Sequence, residues 1–235
     1  MAKRQLGGRP VGGSVLTVLA AALAVATTGC GTPGEMGNGT FYYECSGAGD
    51  SDPACTGWSN RGDIPDRIAV EASFRVTFEP HQSQIDTGID EHSIVVEPAS
   101  WQRAAGTNGT FRLLDSGTHS LIARSDEGTT IDYVHVEGRD VAGVGLLCDV
   151  SADLDPLVLP VGQTAWLVAA AEDQDGWELA GSMDFGWRSQ DSAVASVQAG
   201  ASVRQRGIYG EAAGTTTVEV TVGGTTREVR VEVQP

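Results

Sequence analysis

Residue polarity alternates with a period of two from Ile68 to Phe78, and this pattern restricts the fold of the chain. Every second residue in this stretch is apolar, and the residues between them include glutamate, serine, arginine and threonine. Successive side chains of an extended strand point to opposite faces, so the pattern places the apolar set on one face. It predicts a half-buried antiparallel β-strand.

Short strands separated by turn residues are predicted along the rest of the chain. Gly, Asp, Asn and Ser lie between the segments, and no window has the period of an amphipathic helix. The predicted strands are Ser93–Glu97, Thr110–Leu114, Ser120–Arg124, Ile131–Glu137, Val141–Leu147, Thr164–Ala171, Met183–Arg188, Val194–Gln198, Thr216–Val222 and Arg227–Val233. Strands of this length and spacing are typical of a sandwich or a barrel.

The two halves of the chain end in similar hairpins. In the first half, Gly117-Thr118 opens a strand that turns at Gly128 and returns as IDYVHVE. In the second half, Gly214-Thr215 opens a strand that turns at Gly224 and returns as REVRVEV. This similarity predicts a tandem duplication of one sandwich, with the seam in the acidic stretch Asp149–Pro156.

Several motifs in the second half follow one another in a recognisable order. They are L-P-V-G-Q-T at 159–164, an Asp175-Gly176 turn, G-W-R-S-Q-D-S-A-V-A-S-V at 186–197, and Gly214-Thr215 before an alternating strand. In this order they resemble a bacterial Ig-like domain of group 2, the type found in invasin- and intimin-like adhesins. The hairpin after Val197 is longer than is usual in that family, with Ala201–Arg206 as the insertion.

The resemblance implies an immunoglobulin-like sandwich, which the first half shares through its final hairpin. We therefore predict an all-β chain of two tandem immunoglobulin-like antiparallel β-sandwiches after a signal peptide and a short tether. The predicted divisions are 1–29 for the signal peptide, 30–61 for the tether and a cysteine-containing segment, 62–148 for the first sandwich and 149–235 for the second. Residues 31–40 are rich in glycine, which favours a flexible tether.

The first 30 residues are organised as a secretory signal peptide. Basic residues precede an apolar stretch, Val15–Ala26, that is shorter than the ~20 residues of a membrane-spanning helix. The sequence Thr27-Thr28-Gly29-Cys30 resembles a bacterial lipobox, although Thr27 stands where that family usually has leucine. The resemblance implies acylation of Cys30, with ordinary cleavage nearby as the alternative. Because Gly31 rather than aspartate follows, it also implies an outer-membrane lipoprotein that faces the periplasm or the exterior.

The exported part of the chain is strongly acidic. Residues 1–29 contain three of the 15 basic residues and none of the 31 acidic residues, so the remainder has a formal charge of −19. Lys3 is the only lysine. Binding to nucleic acid requires a basic surface that releases counterions, so nucleic acid is excluded as a partner.

No motif in the sequence indicates catalysis or a cofactor. The four histidines are His81, His92, His119 and His135, of which His119 and His135 fall in neighbouring predicted strands and could meet across a hairpin. Without a lysine in the mature chain, Schiff-base and Ser-Lys chemistry are excluded. Asp50–Asp52 and Glu172–Gly176 space carboxylates as a calcium loop does, but neither completes the twelve-residue ligand pattern. We predict no enzyme, no cofactor and no metal site.

Three cysteines remain in an oxidising compartment if Cys30 carries lipid. A disulfide between Cys45 and Cys55 is predicted, because the loop between them is short and polar. It would stabilise that segment by roughly 2–3 kcal/mol. Cys148 would then be a buried thiol, and the alternative is a bridge from Cys148 to one of the other two.

Trp187 is predicted to lie in the core of the second sandwich. A single large aromatic residue in a small sandwich fills the space between its sheets, and the family resemblance implies the same role. The alternative is that Trp187 is a platform on which a sugar stacks.

These observations favour a non-enzymatic surface lipoprotein that acts in adhesion, in interaction or as a spacer. Its partners would be the membrane, through the lipid anchor, and a protein or a glycan at the cell surface. The alternative is a module that binds a glycan or small ligand. Its candidate platform is the aromatic set Phe41, Tyr42, Tyr43 and Trp58.

Overall fold

The computed structural model describes residues 31–45, 52–55, 61–86, 93–107, 109–150 and 154–235. Strands dominate these ranges, with one helical turn at Gln82–Ile85 (α1) and one 3-10 turn at Pro53–Cys55. No helix in them is long and apolar enough to cross a membrane. The predicted signal peptide, Cys30 and Trp58 lie outside the described residues.

The first sandwich consists of two sheets packed around an aromatic core. Its strands are β1 (Thr32–Pro33), β2 (Gly39–Glu44), β3 (Arg61–Gly62), β4 (Ile68–Ala69), β5 (Ser73–Pro80), β6 (Val95–Pro98), β7 (Ala104–Thr107), β8 (Thr110–Leu113), β9 (Gly117–Arg124) and β10 (Thr130–Arg139). One sheet has the order β1-β2-β5-β8-β7, with β3 also paired to β2, and the other has the order β4-β10-β9-β6. The core between them includes Phe41, Tyr43, Phe74, Phe78 and Phe111.

The second sandwich has two four-stranded sheets. Its strands are β11 (Gly143–Cys148), β12 (Leu157–Pro160), β13 (Thr164–Glu172), β14 (Gly186–Ser189), β15 (Ala195–Ala199), β16 (Gln205–Gly210), β17 (Gly214–Val222) and β18 (Thr225–Gln234). The sheets have the orders β11-β13-β16-β15 and β12-β18-β17-β14. Gly223 and Gly224 both have positive φ and form the tight turn between β17 and β18, as predicted.

Apart from the added edge strands β1 and β3 of the first, the two sandwiches have the same strand order, which is that of an immunoglobulin domain. In each, the last strand of the chain pairs in parallel with a short early strand, β4 with β10 and β12 with β18, and the other pairings are antiparallel. The predicted fold of two tandem immunoglobulin-like sandwiches is confirmed.

The alternating segment Ile68–Phe78 is two strands rather than one. Ile68–Ala69 belongs to one sheet and Ser73–Pro80 to the opposite sheet. The direction changes at Glu71, whose φ is +67°, a left-handed conformation that is uncommon outside glycine. Ile68 and Phe74 face the core of the first sandwich, whereas Ala69 and Ala72, between them, are buried in a second apolar cluster.

Strand β11 lies in the second sandwich, although the predicted boundary at 148/149 assigns it to the first. It pairs with β13 from Gly143↔Glu172 to Cys148↔Leu167. The first sandwich ends with β10 at Arg139, so only three residues separate the last strand of one domain from the first strand of the next. The polarity of a strand determines which face is buried but not which neighbour it pairs with.

The glycine-rich segment predicted to be a flexible tether is part of the first sandwich. Thr32 pairs with Phe41, and Pro33 pairs with Thr40, so β1 forms the edge of the sheet. The turn that follows is held by the buried carboxylate of Asp132, which accepts hydrogen bonds from the backbone N–H groups of Met36 (2.8 Å) and Asn38 (2.7 Å). Gly34 permits the close approach of this turn to Asp132, whose carboxylate is distant in the sequence and accepts the two hydrogen bonds.

Candidate functional site at the junction of the two sandwiches

The two sandwiches are joined by backbone hydrogen bonds between strand ends. Ser73 and Ser182 exchange two of them, at 3.0 and 2.7 Å, in an antiparallel bridge. Beside it, the N–H of Ala69 donates to the carbonyl of Ala180 (2.9 Å), and the N–H of Ala180 donates to the carbonyl of Arg67 (3.0 Å). The two domains therefore continue each other's sheets locally.

Small residues allow the domains to approach closely at this point. Gly181 has a φ of +104°, and a Cβ atom there would lie 2.5 Å from the Cβ of Ala72. Ala69 and Ala72 of the first sandwich are fully buried in a cluster with residues of the second. That cluster also contains Val144, Ala169, Ala171, Leu179, Val220 and Val222. The junction is thus a shared apolar core rather than a flexible linker.

A buried carboxylate, Asp52, connects the cysteine-containing segment to both domains. It accepts hydrogen bonds from the hydroxyl of Tyr43 (2.6 Å) and from the backbone N–H groups of Ala54 (2.9 Å) and Gly181 (3.0 Å). Burial raises the pKa of the Tyr43 phenol well above its usual value, and the charge of Asp52 raises it further. A buried acid of this kind is stable only while its donors stay in place.

The segment that carries Asp52 is closed by the predicted disulfide. Cys45 and Cys55 are bonded, with their Cα atoms 5.3 Å apart, so this prediction is confirmed. Cys148 is a free cysteine at the end of β11 and is partly rather than fully buried. The alternative bridge from Cys148 is therefore not formed.

An aromatic–cation pair spans one side of the junction. The guanidinium of Arg67 lies over the ring of Trp177, 4.9 Å from its centroid, and its Nε is 3.6 Å from a carboxylate oxygen of Asp173. Asp173 begins the turn that carries Trp177 and accepts hydrogen bonds from the N–H groups of Asp175 and Trp177, both at 2.9 Å. The bond from Trp177 lowers the pKa of the Asp173 carboxyl.

This pair lines an open cleft of about 380 Å³ between the domains. Pro53, Ala54 and Pro65 form its apolar side, while Asp66 and Glu178 add carboxylates. Trp177 is 60% exposed. Clefts at domain boundaries that combine an exposed aromatic ring with a few polar groups are common binding positions.

The acidic clusters considered for calcium have structural roles. Asp173, Asp175 and Gly176 form the predicted hairpin turn, with Gly176 at a φ of +78°. Asp50 lies outside the described residues, whereas Asp52 is engaged in the hydrogen bonds above. In the described part of the chain, no group of three or more His, Cys, Asp or Glu side chains could hold a metal ion.

The candidate histidine pair does not form. Val136 is paired with His119 and His135 with Ser120, so the two histidines occupy successive positions that point to opposite faces of the sheet. His119 is buried beside the carbonyl of Asp115, whereas His135 is exposed.

The predicted aromatic platform does not form either. Phe41 and Tyr43 are 0% and 1% exposed and face the core, and Tyr42, between them, lies on the opposite face beneath the guanidinium of Arg61. Strand alternation separates three aromatic residues that are adjacent in the sequence.

Trp187 is half-buried at the edge of the second sandwich. It packs against the two apolar clusters of that domain and donates a hydrogen bond from Nε1 to the carbonyl of Val203 (3.2 Å). The residues of the junction that sequence reasoning missed are Asp52, Arg67 and Trp177. The one local signal was the position of Trp177 directly after an Asp-Gly turn.

Comparison with known proteins gives similar structures but no family. No family model matches the chain, and no curated protein matches it. Domains 4 and 5 of the S-layer protein SbsC are 17% identical, with 61% of this chain and 78% of that chain covered and a TM-score of 0.34. The adhesin InvE of Yersinia pseudotuberculosis is 14% identical (73% and 57% covered, TM-score 0.35). InvD of the same organism is 16% identical (73% and 56% covered, TM-score 0.31). The chain spans 23–25% of the longer SbsC structures.

Proposed function

We propose that this chain is a non-enzymatic lipoprotein of the outer membrane whose two sandwiches act as one rigid unit in adhesion or interaction at the cell surface. This proposal is supported by the way in which the two sandwiches are joined. A shared core around Ala72 and the bridge between Ser73 and Ser182 join the domains end to end. Domains linked by a small polar contact move relative to each other, whereas a buried apolar junction holds them in one orientation.

A rigid pair of sandwiches suits a protein that presents a surface. Its acidic faces repel similar surfaces and keep the exported chain in solution around its anchor. The partners that we propose are the membrane, through acylated Cys30, and a protein or glycan at the cell surface. The predicted platform for a glycan is not assembled, because Phe41 and Tyr43 are buried, so we propose no separate glycan-binding module.

The anchoring is tested by cell fractionation and intact-mass measurement of the full chain. We expect the wild type in the membrane fraction, with the mass of a chain that begins at Cys30 and carries acyl groups. Cys30→Ser should release the protein, whereas the matched control Cys148→Ser should leave it in the membrane. A soluble, unmodified wild-type protein that begins at another residue would refute the anchoring.

A further inference from the structure

The N-terminal end of the folded region lies along the side of the first sandwich and not at its tip. By the register of β1 with β2, Gly31 stands opposite Tyr42, and a Cβ atom at Gly31 would lie 2.6 Å from the Tyr42 ring. Tyr42 pairs with Thr77, which is four residues along β5 from Ser73 at the junction. At about 3.4 Å per residue, the chain therefore enters the fold about 14 Å from the junction, measured along the strands.

The sandwiches extend much further than this in both directions. The longest strand of each, Thr130–Arg139 and Thr225–Gln234, has ten residues. Ten residues of strand measure about 33 Å, so the two domains end to end are roughly 65 Å long. The entry point lies along the side of the first sandwich, about 14 Å from the waist of this rod and about 19 Å from the nearer tip.

The link between this entry point and Cys30 is a single residue. Gly31 is buried against the sheet, and Thr32 is already paired in β1. Consecutive Cα atoms are about 3.8 Å apart, so an acyl chain on Cys30 would hold this side of the first sandwich directly at the lipid surface. If the rod stood upright, at least about 19 Å of it, roughly a third of its length, would have to enter the hydrocarbon, which its charged faces do not permit.

The sheet edge at which the chain enters the fold runs towards the cleft at the junction. Strands β1 and β3 both pair with β2 along the same edge, and the N–H of Ile64 donates to the hydroxyl of Thr32 (2.8 Å). Three residues further on, Arg67 lies over the ring of Trp177. Tryptophan is favoured at the boundary between lipid and water, and arginine reaches its charge back to water from that depth.

We infer that the protein lies side-on against the lipid bilayer, with the edge from β1 to Trp177 facing the headgroups. This inference rests on the proposed acylation of Cys30. The carboxylates of this edge limit the contact to the headgroup region: Asp173 is paired with Arg67, and Glu178 lies 2.5 Å from Arg204. The opposite edge of the first sandwich, which ends in β7, faces away from the membrane.

The test uses the acylated protein reconstituted into phosphatidylcholine vesicles, with or without dibrominated phosphatidylcholine as a quencher of tryptophan emission. Trp177 is one of five tryptophans, so we expect bromination to remove on the order of one fifth of the emission. This loss should disappear in Trp177→Phe and remain in Trp101→Phe. Trp101 is a matched control because it is 55% exposed but lies just before β7, on the opposite edge.

A spacer variant provides a second test that does not alter the cleft. Insertion of ~20 Gly and Ser residues between Gly31 and Thr32 gives a linker that spans about 25 Å on average, which should abolish the quenching of Trp177. Quenching that survives Trp177→Phe, or no quenching of the acylated wild type, would overturn the side-on orientation alone. A mass without acyl groups would overturn the anchoring and this inference with it. Shielding of Trp177 by soluble oligosaccharides but not by lipid would assign the cleft to a glycan instead.

Discussion

Replacing Asp52 with alanine removes the acceptor that connects the cysteine-containing segment to both sandwiches. The hydroxyl of Tyr43 and the N–H of Gly181 would be left in a buried position without that partner. Each unsatisfied buried donor costs about 1–3 kcal/mol. Removing a buried charge returns part of this free energy, because the carboxylate no longer has to be desolvated. We therefore expect Asp52→Ala to lower the free energy of unfolding by ~3–4 kcal/mol.

The expected result has a second part, which concerns cooperativity. Ala69, Ala72 and Leu179 are buried in a core that both domains share, so the wild-type sandwiches should unfold in one calorimetric transition. Asp52→Ala leaves this core and the Ser73–Ser182 bridge in place, so we expect the variant also to unfold in one transition, at a lower temperature. Urea denaturation followed by circular dichroism and tryptophan fluorescence, together with calorimetry, measures both effects.

An exposed acid provides the control for this experiment. Asp126 lies in the turn between β9 and β10, and Asp126→Ala should change the free energy of unfolding by less than about 0.5 kcal/mol. A loss below ~1 kcal/mol in Asp52→Ala would refute the argument. It would mean that water replaces the carboxylate as the acceptor.

Three further predictions concern the same domains. Because the folded-state pKa of Tyr43 is raised, the contribution of Tyr43 to stability should be constant below the unfolded-state value of about 10 and be lost as the pH rises above it. Melting temperatures from pH 8 to 11 measure this, and Tyr43→Phe should flatten the decline. Trp187→Ala should cost about 2–3 kcal/mol of unfolding free energy, less than the ~3–5 kcal/mol for a fully buried tryptophan, since Trp187 is half-buried; unchanged stability with loss of sugar binding would contradict its core role. Cys45→Ser should lower stability by ~2–3 kcal/mol in urea titrations, and a reductant should have no further effect on that variant.

Much of the fold and little of the junction could be predicted from residue patterns. Alternation and turn glycines indicated strands because they act within a few residues, and Gly223-Gly224 forms the predicted hairpin. The break at Glu71 could not be predicted, because the polarity pattern continues through it although the chain crosses from one sheet to the other. The pairing of β11 with β13 could not be predicted either, since strand partners are chosen by packing over the whole domain.

The polarity of each strand is a property of neighbouring residues, so the all-β class follows from it directly. The short polar loop between two cysteines favoured the Cys45–Cys55 bridge, and the structure decided it against a bridge from Cys148. The junction, in contrast, could not be inferred from neighbouring residues. Arg67 and Trp177 lie far apart in the sequence and meet only because two completed sandwiches dock end to end. The glycine-rich residues 31–40 have the composition of a tether, yet the carboxylate of Asp132 holds part of them against the sheet. Composition describes how freely an isolated segment can move, whereas the tertiary structure supplies the distant acceptors and small residues that hold it in place.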